Sequence, residues 1–152
     1  MARVLAYFLT WTTYGTWLPG DGRQWVDKRG WAGKPYECPD GRRAATARSR
    51  MKQSGVNLRP GQRRAVEDAI RSVCCFKGWV IHALNVRSNH VHLVLTAEDT
   101  TPERLMTTLK AWASRRLNEV SDRHRWWTRH GSTRYIGTER SLQGAIEYVE
   151  HQ

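Results

Sequence analysis

Two runs of strand-forming residues, "WVIHALNVR" (Trp79–Arg87) and "HVHLVLTA" (His90–Ala97), are separated only by Ser88 and Asn89. A two-residue connection joins strands as an antiparallel hairpin, because a parallel return needs a dozen or more residues. The centre of the chain is therefore an antiparallel sheet, and helical patterns flank it on both sides. Upstream, Pro60 suits a first helical turn, and Val66, Ala69, Ile70 and Val73 repeat at helical spacing until Gly78 ends the pattern. Downstream, Thr100 and Glu103 have capping-box spacing with Pro102 between them. They open a helix reaching about Val120 that turns Leu105, Leu109, Trp112, Ala113, Leu117 and Val120 inward.

The outer elements follow from the same rules. Val4 to Leu18 is β-branched and aromatic and reads as a bent strand. "RWWTRHGSTRYIG" (Arg125–Gly137) reads as a short strand pair or an extended segment around Gly131, and a last helix starts near Ser141 as N-cap. The order β–α–β–β–α–β–α gives an α+β fold of the ferredoxin-like, split βαβ (RRM-like) class. It has an antiparallel sheet, helices on one face, and a C-terminal helix that carries Tyr148. The chain reads as one domain over 1–152, with a long irregular Gly-, Pro- and Arg-rich insertion at about 19–59.

The 152 residues carry a formal net charge of +11 and a pI near 10.3, which favours a polyanionic partner. A membrane surface is the weaker option, since no apolar run approaches ~18 residues. Three cysteines, two of them adjacent, suit neither a disulfide framework nor a zinc site and point to a cytoplasmic, thiol-reducing setting. Each of the eight tryptophans is either core or a platform for unpaired bases.

Side chains alternate across a strand, so His90 and His92 share one face while Val91, Leu93 and Leu95 share the other. The apolar set belongs against the helices, which leaves two imidazoles side by side. They are either polar residues on an open strand face or two ligands of one metal ion. In the last helix, "SLQGAIEYVEHQ", Leu142, Ala145, Ile146 and Val149 form the docking stripe. Tyr148 and Gln152, four residues apart, lie along one edge of it. A phenol, an amide and two imidazoles are a workable set for phosphodiester cleavage. The plainer alternative is a tyrosine whose ring completes the packing.

"HVHLVL" on a strand and a late helical "YVEHQ" together resemble the single-tyrosine HUH transposases. These are short enzymes of insertion sequences and of repetitive extragenic palindromes. The resemblance covers Trp79 to Gln152 well, including the approach "RYIGTERSLQGAIEYVEHQ", and the opening strand more loosely. It implies a metal-dependent endonuclease and strand transferase acting on single-stranded DNA next to hairpins. Tyr148 would be the nucleophile, forming a 5′-phosphotyrosine, and His90 and His92 would be metal ligands. Gln152 would be a third ligand, through its amide or its own α-carboxylate. The cofactor implied is Mg²⁺ or Mn²⁺, with two nitrogen ligands leaning toward Mn²⁺. Arg87, Lys110, Arg115 and Arg116 are the candidate phosphate contacts. Family members commonly work as homodimers, and the setting implied is the nucleoid within the cytoplasm. Rival readings are a domesticated hairpin-binding protein that no longer cuts, an RNA-binding module of the same sheet class, and a His-dependent hydrolase.

Overall fold

A computed structural model of the chain describes residues 3–16, 41–50, 55–122 and 125–152. Its elements in chain order are β1 (Ala6–Thr12), α1 (Gly41–Ser49), α2 (Pro60–Lys77), β2 (Val80–Val86), β3 (His90–Thr96), α3 (Pro102–Val120), β4 (Ser132–Ile136) and α4 (Glu139–Glu150). The four strands form one sheet in the order β2-β3-β1-β4, and every neighbouring pair is antiparallel. The hairpin strands lie side by side, and β1 inserts between β3 and β4. This is the split βαβ arrangement expected from the order of elements.

Strand parity assigns each side chain to a layer. Leu9 and Trp11 of β1 and Val91, Leu93 and Leu95 of β3 pack against Val66, Ile70 and Val73 of α2 and Leu105, Leu109, Ala113 and Leu117 of α3. Most of these are fully buried, each contributing about 1.5–3 kcal/mol of transfer free energy. The opposite face is thinner. Ala6, Ala83, Val94 and Ile136 meet Val149 of α4, with Phe8, Leu142, Ala145 and Ile146 partly buried around them. The predicted stripe of the last helix is thus the surface that docks.

One irregularity controls what β2 presents. Its register with β3 shifts between Ile81 and Ala83. Strict alternation from Ile81 would place Asn85 on the α2/α3 face. With the extra residue, Ile81, Leu84 and Val86 face that core, while Ala83 and Asn85 face α4.

Several local expectations are corrected. The insertion at about 19–59 is not wholly irregular, because α1 lies within it; residues 17–40 and 51–54 of the chain, with Trp17, Trp25, Trp31 and Cys38, lie outside the described residues. The cap of α3 is Thr101 rather than Thr100, its hydroxyl accepting from the Arg104 amide. The cap of α4 is Thr138, which accepts from the Ser141 amide, so Ser141 is already inside the helix. Val120, expected inside, is 62% exposed at the last position of α3. Trp11, Trp79 and Trp126 are buried in the core, where the indole N–H of Trp79 donates to Asp99 and that of Trp126 to Asn118. Among the described residues no helix is long and apolar enough to cross a membrane.

Candidate active site

The α4 face carries a cluster of aromatic and imidazole rings beside its small apolar core. His90 and His92, two residues apart on β3, have ring centroids 4.6 Å apart at 69°. Pairing of β1 with β3 sets Thr10 opposite His92, and the Thr10 hydroxyl lies 2.9 Å from His92 Nδ1. Phe8, two residues before Thr10 on the same face, stacks on the His92 ring at 5.7 Å and 11°. Tyr148 of α4 closes the group, edge-on to His92 at 5.6 Å and to Phe8 at 6.0 Å. The helix that docks through Val149 therefore brings its neighbour Tyr148 to the histidines of its own chain. The tyrosine remains half-exposed.

The electrostatics follow from burial. His92 is 6% exposed, and burial, then the charges of His90 and Arg87, push its imidazole down to about 4. It is neutral at pH 7. The His90 Nδ1–H donates to the Asn89 side-chain oxygen at 2.7 Å, which puts the ring's lone pair on Nε2. Both rings thus have Nδ1 held by a neighbour, the arrangement that orients an imidazole to bind a metal through Nε2. Among the described residues no group of three or more His, Cys, Asp and Glu side chains gathers anywhere. The donor set is therefore two imidazole nitrogens, and it fits a divalent ion whose other ligands are oxygens.

Gln152 reaches this corner through its backbone. Its backbone oxygen accepts from Arg87 Nη1 at 2.7 Å and from Asn85 Nδ2 at 3.4 Å, and its side chain is exposed. Asn85 pairs with His92 in the β2–β3 register and also donates to the Val149 carbonyl at 3.1 Å. It ties the end of the tyrosine helix to the strand beside the histidines.

The structure brings together His90, His92, Tyr148, Arg87 and the Gln152 backbone. The other basic candidates lie on α3, against the opposite face of the sheet. Lys110 donates to the Thr128 and His130 carbonyls, holding the segment that leads into β4. Arg115 sits over the Trp112 ring at 5.3 Å, and Arg116 pairs with Glu119 at 3.6 Å. Phe8, Thr10, Asn85 and Asn89 are site residues that the sequence reading missed. Asn89 adjoins the motif and could have been flagged as a turn residue next to His90. The other three arrive by long-range pairing and a bulge, which leave no local signal.

The pattern of a protein family described as IS200-like transposases matches residues 49–152. No curated protein matches the chain. A solved REP-associated tyrosine transposase bound to a REP hairpin shares the fold, with a TM-score of 0.56 and 12% identity over 98% of this chain. The chain spans 66% of that protein's length. A candidate transposase from Deinococcus radiodurans R1 superposes with a TM-score of 0.52 and 17% identity, covering 100% of this chain and 93% of the other. The match runs over both histidines, Tyr148 and three of the four strands, β1 lying outside it, and this chain belongs to the IS200-like transposase family.

Proposed function

We propose that this chain cuts and rejoins single-stranded DNA beside hairpins through a covalent tyrosine intermediate. The observation that carries this reading is Tyr148 edge-on to His92 at 5.6 Å, with His90 alongside at 4.6 Å, all on one sheet face. A phenol beside two oriented imidazoles is a nucleophile next to a place for a phosphate's counter-charge. Family membership and the hairpin bound to the solved relative support the choice of substrate.

In the proposed step the Tyr148 oxygen attacks the scissile phosphorus and the bond to the 3′-oxygen breaks. The DNA 5′ end stays on the tyrosine, the phenolic proton passes to solvent, and a 3′-hydroxyl is released. Attack by another 3′-hydroxyl reverses the chemistry and joins strands, because the phosphotyrosine ester conserves the energy of the original bond. Phe8 and the Thr10 hydroxyl hold His92 in orientation, while Asn89 holds His90. A Mg²⁺ or Mn²⁺ ion held by His90 and His92, with Gln152 as third ligand, would supply positive charge to the phosphate. Arg87 is a phosphate contact once strand binding draws it from the Gln152 carbonyl. With Tyr148 beside its own chain's histidines, the reading is of a site built within one chain.

The test is a labelled hairpin with single-stranded flanks, drawn from DNA around the gene, incubated with Mn²⁺ or Mg²⁺ and run on a denaturing gel. A covalent adduct that needs the ion and is lost on chelation supports the reading. Tight binding of the same DNA with no adduct would instead make the chain a hairpin-binding protein that no longer cuts.

A further inference from the structure

Phe76 is the most exposed large hydrophobic residue among those described, at 76%. It lies at the end of α2, just before the Gly78 cap, and its ring faces Trp112 of α3 at 6.3 Å and 33°. Trp112 is itself only partly buried. A cation accompanies each ring: Lys77 Nζ lies 6.0 Å from the Phe76 centroid and Arg115 Cζ 5.3 Å from the Trp112 centroid. Neither cation forms an ion pair among the described residues. The nearest acid on α3 past Arg115, Glu119, is taken up by Arg116. The fold gains little from Phe76, because most of its apolar surface stays in water.

We propose that Phe76 and Trp112, with Lys77 and Arg115, form a second nucleic-acid contact that stacks unpaired bases of the DNA strand flanking the cut segment. Two aromatic rings offer base-stacking surfaces regardless of sequence, and the adjacent cations meet the backbone phosphates. The charge argument selects this occupant over an apolar protein surface: both rings carry a cation on a chain of net charge +11. The patch lies on the α2/α3 side of the sheet, away from His90, His92 and Tyr148, so the bases held there are not those at the attacked phosphate. It rests on the proposed function only for the identity of the strand as DNA, since its contacts share no residue with the cutting site.

The experiment is fluorescence anisotropy of a labelled oligothymidylate with the full chain, without divalent ion, alongside the covalent-adduct assay on a minimal hairpin. Phe76→Ala is expected to weaken oligothymidylate binding by roughly tenfold and to leave adduct formation on the minimal hairpin unchanged. Replacing Lys77 and Arg115 together by Ala lowers the salt dependence by roughly one to two counterions. Cross-linking of a 5-iododeoxyuridine probe is expected at Phe76 or Trp112. Unchanged affinity in Phe76→Ala overturns the proposal. So does a variant that binds the oligonucleotide normally but loses self-association in sedimentation, which would make the patch an interface between copies. If the wild-type chain forms no adduct while Phe76→Ala still weakens binding, the cutting mechanism fails and the patch stands.

Discussion

The two faces of the sheet use the same strands for different ends. On β3, Val91, Leu93 and Leu95 point to α2 and α3 and are fully buried among aliphatic neighbours. Alternating with them, His90 and His92 point to the α4 face, where burial is almost as deep around His92 but the partners are a hydroxyl, a phenyl ring and a phenol. The first face is thick and apolar and secures the fold. The second has a small apolar patch, enough to seat one helix, and beside it a polar group kept neutral by burial. Desolvation that would be a pure cost in a core here keeps His92 in the form a metal requires.

That division can be tested by substitutions that strike one face at a time. The largest expected effect on stability is Leu93→Ala, which opens a cavity in the thick face and costs about 2–5 kcal/mol. Denaturant unfolding should show this, with the folded fraction still competent to form adducts. Gly131→Ala should come next, because a Cβ there would meet the Thr10 carbonyl at 2.5 Å and Met106 Sδ at 2.7 Å. A backbone atom cannot give way as a side chain can, and a cost of about 1–3 kcal/mol is expected. Since Thr10 also holds His92, this substitution should disturb both faces together, and a stability loss with unaltered ion binding would break that link.

Thr10→Val probes the second face alone. It keeps the shape but removes the hydroxyl at His92 Nδ1, so Mn²⁺ affinity measured by calorimetry should fall roughly tenfold. Stability should change by no more than about 1.5 kcal/mol. The smallest perturbation compares two adjacent thiols. Burial pushes Cys74 up to about 11, so at pH 8 it stays a protonated, covered thiol, whereas Cys75 is exposed. Iodoacetamide followed by mass spectrometry should label Cys75 and spare Cys74 until the protein unfolds. Early labelling of Cys74 would mean that the thick face opens locally.

Legibility in the sequence follows the same division. The thick face could be read because periodicity is local: Val66, Ala69, Ile70 and Val73 mark α2, and alternation marks β3. The parity of His90 and His92, and the stripe that seats α4, were legible for the same reason. The caps lie one residue from Thr100 at Thr101 and three from Ser141 at Thr138, since each stretch offers two hydroxyl residues and only backbone geometry chooses between them. Phe8 and Thr10 could not be found, because they reach His92 through a pairing with β3 across more than eighty residues of chain. Asn85 was hidden more deeply still, since only the bulge in β2 turns it toward α4.

The central claim is that His90, His92 and Tyr148 of one chain make one strand-cutting site. The most direct measurement mixes two inactive variants, His92→Ala and Tyr148→Phe, and assays covalent adducts with the hairpin substrate and Mn²⁺. Adducts are expected with the unmodified chain, none with either variant, and none with the mixture, because no single chain in it holds both halves of the site. Adducts in Tyr148→Phe alone would exclude this tyrosine as the nucleophile. Adducts restored in the mixture would show that tyrosine and histidines meet between two chains, contradicting a site built within one.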